Sequence, residues 1–123
     1  MSKKEVNEKI KPLILTDNET GEKYVLEFSR ESVRFAEMRG FDVEDLGKYP
    51  MTKIPELFFY AFRMHHRNIA RERTDRMLFD DLKGLSAAAI ERLVMLYAAP
   101  FEALSDIESE SGEAKNARMT VEL

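Results

Sequence analysis

The chain contains no cysteine, which excludes disulfides and thiolate metal sites and suits a reducing compartment. Histidine is almost as scarce. His65 and His66 are the only two, and neighbouring positions on a helix point about 100° apart. They cannot clamp one ion as an i, i+4 pair does, and nothing nearby completes a ligand set. No metal and no other cofactor is expected. Glycine-rich phosphate loops, dinucleotide fingerprints and the Gly-x-Ser-x-Gly elbow are all missing. Carboxylates are plentiful but interleaved with lysines and arginines, and none is paired with an apolar pocket that would raise its pKa. No catalytic residue is assigned, and an enzyme is not expected. Long apolar runs are missing too. The greasiest segment, Leu57–Phe62, is far too short to cross a bilayer, and the charged opening Met1–Lys9 has no apolar core of the kind a secretory signal needs.

What is present fits one soluble domain with one core: 123 residues, 44% hydrophobic and 34% charged. A net charge of −4 argues against nucleic-acid binding driven by overall electrostatics, though a local basic patch is compatible with it. The stretch Thr52–Ile69 stands at the centre. Ile54, Leu57, Phe58, Ala61, Phe62, His65 and Ile69 recur at helical spacing, giving an apolar face of about four turns. Thr52 is placed to cap this helix, with Pro55 tolerated in its first turn.

Around it, the fold class reads as α+β: an N-terminal β-hairpin packed on a bundle of four to six short helices, with a disordered acidic C-terminal tail. Residues 1–10 form a flexible arm, 11–104 the single domain and 105–123 the mobile tail. Leu13–Phe28 reads as the hairpin, turned at Asp17–Gly21, with Tyr24, Leu26 and Phe28 on one face. Ser29 caps a helix from Arg30 to about Arg39, which Gly40 ends and on which Phe41 folds back. Asp42–Gly47 gives a short turn of helix. After Ile69 a break is expected near Arg73–Thr74, with Thr74 capping a short helix that Gly84 stops. Ser86 then caps Ala87–Ala98, whose stripe is Ile90, Leu93, Val94 and Tyr97. Pro100 is expected to start a new turn. Beyond Ser105, Asp106–Glu113 is acidic and should be disordered. Met119, Val121 and Leu123 then alternate with polar residues, a pattern able to add a strand to a sheet edge, although chain ends are more often merely frayed.

Two features invite a binding role. Arg63, Arg67 and Arg71 lie four apart and would ridge one helix, facing phosphates, an acidic partner or the protein's own acids. A salt-bridged surface is the plainer account. The other feature is the excess of Phe and Met, among them Phe58, Phe59, Phe62, Phe79, Phe101, Met51, Met64, Met77 and Met95. Flexible methionines with aromatics make adaptable surfaces for apolar helices, unless they simply fill the core.

The order of these segments resembles a known family. Phe28-Ser29-Arg30-Glu31-Ser32-Val33 follows the hairpin, then Gly40-Phe41-Asp42, then Met51-Thr52-x-Ile54-Pro55-x-Leu57-Phe58 with Ala61-Phe62-x-x-His65-His66-Arg67. Leu96-Tyr97-Ala98-x-Pro100-x-Glu102-Ala103-Leu104, the acidic segment and the short apolar ending complete the likeness. Together they resemble the phage tail assembly chaperones of long-tailed phages and prophages of Gram-positive bacteria, from about Lys11 onward. The resemblance implies a non-enzymatic helper of virion morphogenesis that binds the tape measure protein and keeps it soluble during tail tube assembly. It implies residence in the host cytoplasm, absence from the mature virion, and the tail tube protein as a further candidate partner. The chain is then expected to self-associate and to bind neither membrane nor nucleic acid. Tyr60, Met64, Met77, Met95 and Tyr97 are the candidate partner-binding residues, with Arg63, Arg67 and Arg71 beside them. The competing reading is a small regulatory or nucleic-acid-binding domain using the basic residues Arg63–Arg76.

Overall fold

A computed structural model describes residues 10–105 and 118–123. The flexible arm and the acidic segment Asp106–Glu113 expected from sequence lie outside the described residues, apart from Ile10. Strands β1 (Leu13–Thr16) and β2 (Lys23–Leu26) form the antiparallel hairpin, with Ile14 opposite Val25 and Leu15 opposite Tyr24. Asp17 builds the turn: its carboxylate accepts from the Glu19 N–H at 2.9 Å, and its carbonyl from the Gly21 N–H at 2.7 Å. Gly21 has φ 82°, a conformation that costs a residue without Cβ nothing. Tyr24, Leu26 and Phe28 are all buried on the inner face.

Helix α1 (Arg30–Met38) starts and stops as its flanking residues dictate. Ser29 Oγ accepts from the Ser32 N–H at 3.1 Å while Ser32 Oγ accepts from the Ser29 N–H at 2.8 Å, a reciprocal cap. At the other end Gly40 has φ 87°, and the Gly40 and Phe41 N–H groups donate to the carbonyls of Glu37 and Ala36. Phe41 is thereby turned back into the core. A 3₁₀ turn, Val43–Asp45, follows, capped by the Asp42 carboxylate.

The central helix α2 spans Pro50–Tyr60, which corrects the expected Thr52–Ile69 at both ends. Pro50 takes the first helical position, so Pro55 lies inside the helix rather than in its first turn. The early end has a cause in β2. The Ala61 carbonyl accepts from the Glu27 N–H at 3.1 Å, and His66 Nε2 accepts from the Val25 N–H at 3.0 Å. The outer edge of β2 thus recruits acceptors that a continuing helix would have used or carried away, and the chain turns tightly through Ala61–His65.

Helix α3 (Arg71–Arg76) runs straight into a π-helical segment, Met77–Asp81, with no break at Thr74. Thr74 is buried, and its hydroxyl donates back to the Arg71 carbonyl at 3.0 Å instead of capping. The wide turn ends at Gly84 (φ 102°), whose N–H donates to the Leu78 carbonyl at 2.8 Å. Helix α4 (Ala87–Ser105) is capped by Ser86, which accepts from the Ala89 N–H at 3.1 Å. It passes through Pro100 without the expected new turn. Proline's fixed φ suits a helix, although its ring removes one backbone bond and crowds the carbonyl four residues back. The Tyr97 and Phe101 rings, 5.9 Å apart, bridge that point.

The core is a chain of aromatic contacts laid between hairpin and helices. Phe28 meets Tyr97 edge-on at 5.0 Å, Tyr97 meets Phe41 at 5.5 Å, and Phe41 meets Tyr60 at 5.5 Å. A second branch joins Tyr24, Phe62 and Phe58. Among the described residues no helix is long and apolar enough to cross a membrane.

Candidate partner-binding surface

The candidate apolar residues divide into two groups. Tyr60, Met77 and Tyr97 belong to the core, with 7%, 7% and 3% of their surface exposed, so the reading that offers them to a partner is corrected. Tyr60 lies against both Phe35 and Phe41, and Tyr97 between Phe28 and Phe41. Burial raises both phenol pKa values, that of Tyr97 to about 12. Met64 and Met95 remain outside, 42% and 46% exposed.

Further exposed side chains join them: Met51, Phe79 and Phe101 from the Phe and Met excess noted in the sequence, and Met38, which was not singled out there. Met38 closes α1, Met51 opens α2, Phe79 projects from the π-helical segment and Phe101 from the last turns of α4. Met38 falls out of phase with the Val33 and Ala36 stripe, whereas Met51 is nearly in phase with Phe58 and is exposed in the first turn of α2. Two concavities lie between elements. One, of about 470 Å³, is bounded by Phe41, Val43, Tyr97 and Phe101. The other, of about 430 Å³, has Leu15, Tyr24, Met77 and Leu82 among its lining, with the carboxylates of Asp80 and Asp81 close by.

The arginines are not brought together as a ridge, because no single helix carries them. Arg63 folds onto Glu31, its Nη2 2.9 Å and its Nε 3.1 Å from Oε2, and this bond holds the Glu31 carboxyl below the usual range. The same guanidinium covers the Phe35 ring at 3.6 Å, and that of Arg39 lies 4.5 Å from the same ring. Arg67 reaches Glu31 at 4.0 Å, and Arg71 bonds Asp75 at 2.9 Å. Arg73 donates to the Tyr24 hydroxyl at 3.0 Å. These cations are engaged with the protein's own acids and rings.

The histidines sit in the turn after α2. His65 Nε2 is 2.8 Å from Glu27 Oε1, while His66 accepts from the backbone of β2. Among the described residues no cluster of three His, Cys, Asp or Glu side chains is arranged to hold a metal ion.

The fold and surface define a small α+β body, a two-stranded hairpin seated on helices with methionine and phenylalanine at its exterior. The signature of the family described as a domain of unknown function (DUF5055) matches residues 1–123, and the chain belongs to that family. No curated protein and no solved structure matches it.

Proposed function

We propose that this protein is a non-enzymatic phage tail assembly chaperone that binds helices of the tape measure protein and keeps them soluble while the tail tube assembles. The observation that carries the reading is the placing of exposed Met and Phe on α1, α2, the π-helical segment and α4, with Met38, Met51, Phe79, Met95 and Phe101 all outside the core. Such side chains adapt to varied apolar helices without a fixed pocket. Many copies along one long partner hold it through individually weak contacts. The segment order shared with tail chaperones supports the choice of partner. On this reading the protein works in the host cytoplasm, meets the tail tube protein at the end of its task, and is absent from the finished virion.

The test is co-expression of the tape measure protein with this chain and with Met64→Ser/Met95→Ser. Both positions are exposed, so circular dichroism should be unchanged, and the expected result is loss of soluble tape measure protein. A double variant as effective as the wild type, with failure only on truncation after Ser105, would move the binding element into the tail.

A further inference from the structure

The two edges of the hairpin are treated differently. The outer edge of β2 is closed by the Ala61 carbonyl and the His66 imidazole. The Val25 N–H therefore points away from β1, so the Ile14–Val25 pair is of the non-hydrogen-bonded kind, as is Thr16–Lys23 two places on. It follows that the N–H and C=O groups of Ile14 and Thr16 face outward from β1. Among the described residues no hydrogen bond engages them. Open edges are usually blunted by shortness, a charge or a proline. β1 is short and Pro12, at the next outward-facing position, has no N–H, but Leu13-Ile14-Leu15-Thr16 itself carries neither charge nor proline, and Ile14 is half exposed.

The chain also carries a strand of matching pattern that the single copy leaves unused. Met119, Val121 and Leu123 alternate with Thr120 and Glu122, and all three apolar side chains are more than 80% exposed. Laid along β1, such a strand puts its apolar side chains on one face. The inner face has room for them, since Leu15, Tyr24, Met77 and Leu82 line the 430 Å³ concavity there. The same concavity is rimmed by Asp17, Glu19, Asp80 and Asp81, which suits Arg118 at the head of the segment. Twelve residues separate Ser105 from Arg118, a covalent reach of up to roughly 45 Å, ample to bridge two bodies of radius of gyration ~13 Å.

We infer that residues 118–123 of one copy add as a third strand to the β1 edge of a second copy, so that the protein assembles by strand exchange. Reciprocal exchange closes a dimer, and one-way exchange propagates a chain of copies. The inference does not depend on the identity of any other partner.

The experiment uses the full chain in sedimentation velocity with two blocked variants. Ile14→Pro blocks the edge; its missing N–H is one that faces outward, so the hairpin bonds are kept. If that variant does not fold, Ile14→Lys blocks the edge by charge instead. Val121→Pro blocks the strand and lies outside the folded body. The wild type is expected to sediment as a dimer or larger, and each blocked variant as a monomer. An equimolar mixture of the two should recover twice the chain mass, because one supplies the edge and the other the strand. A monomeric wild type, which includes the case of the segment folding onto its own edge, overturns the inference. So does undiminished assembly of Val121→Pro, or a mixture that stays monomeric.

Discussion

His66 shows how one side chain ties the hairpin to the helices. To accept the Val25 N–H its Nε2 must be unprotonated. Burial, and next the neighbouring His65, hold its pKa below the ordinary 6.5, while Glu22 pulls the other way. The unfolded chain therefore takes up this proton more readily than the folded one. The contribution of neutral His66 is complete above about pH 6.5 and is lost as pH falls below that through the folded value. Urea denaturation of the wild type should show declining stability on acidification before carboxylates protonate. His66→Gln keeps an acceptor but does not titrate, and its profile over that window should be flatter. An equal slope in both would show that the bond carries no such weight. At this scale the sequence hid the bond entirely, since its partners are 41 residues apart.

Among the elements, the helix boundaries legible in the sequence were those set by their own neighbours. Ser29, Gly40, Asp42, Gly84 and Ser86 each do the local task that their chemistry suggests. The end of α2 was not legible, because the demand for acceptors arises in β2. Nor was the run through Thr74, a residue that caps well when exposed but here is buried and bonds one turn back. The candidate surface suffered for the same reason. Periodicity tells which face of a helix is apolar, not whether a second layer covers the flanks, and Tyr60 and Tyr97 are covered by Phe41. The reciprocal cap of α1 offers a local test. Ser29→Ala should cost about 1 kcal/mol, the usual worth of such a cap, measured as a lower urea midpoint with unchanged slope. No change in midpoint would mean that packing alone fixes the start of α1.

For the whole molecule the hairpin and helices share a single core, so damage at its centre should be felt everywhere. Phe58 and Phe62 are fully buried and in edge-on contact at 5.1 Å. Replacing either by Ala should cost about 3–5 kcal/mol, a large part of the ~5–15 kcal/mol available to a domain. Far-ultraviolet and near-ultraviolet dichroism should still report one coincident transition. Separate transitions for hairpin and helices would contradict the shared core. The aromatic chain that joins these parts also governs how the protein handles light. With no tryptophan in the chain, emission under ultraviolet excitation belongs to tyrosine. Three of the four tyrosines, Tyr24, Tyr60 and Tyr97, are sealed within the body while Tyr49 stands outside. The protein is therefore optically quiet at the wavelengths where tryptophan shines, and any tryptophan brought against it by another molecule is seen against a dark background.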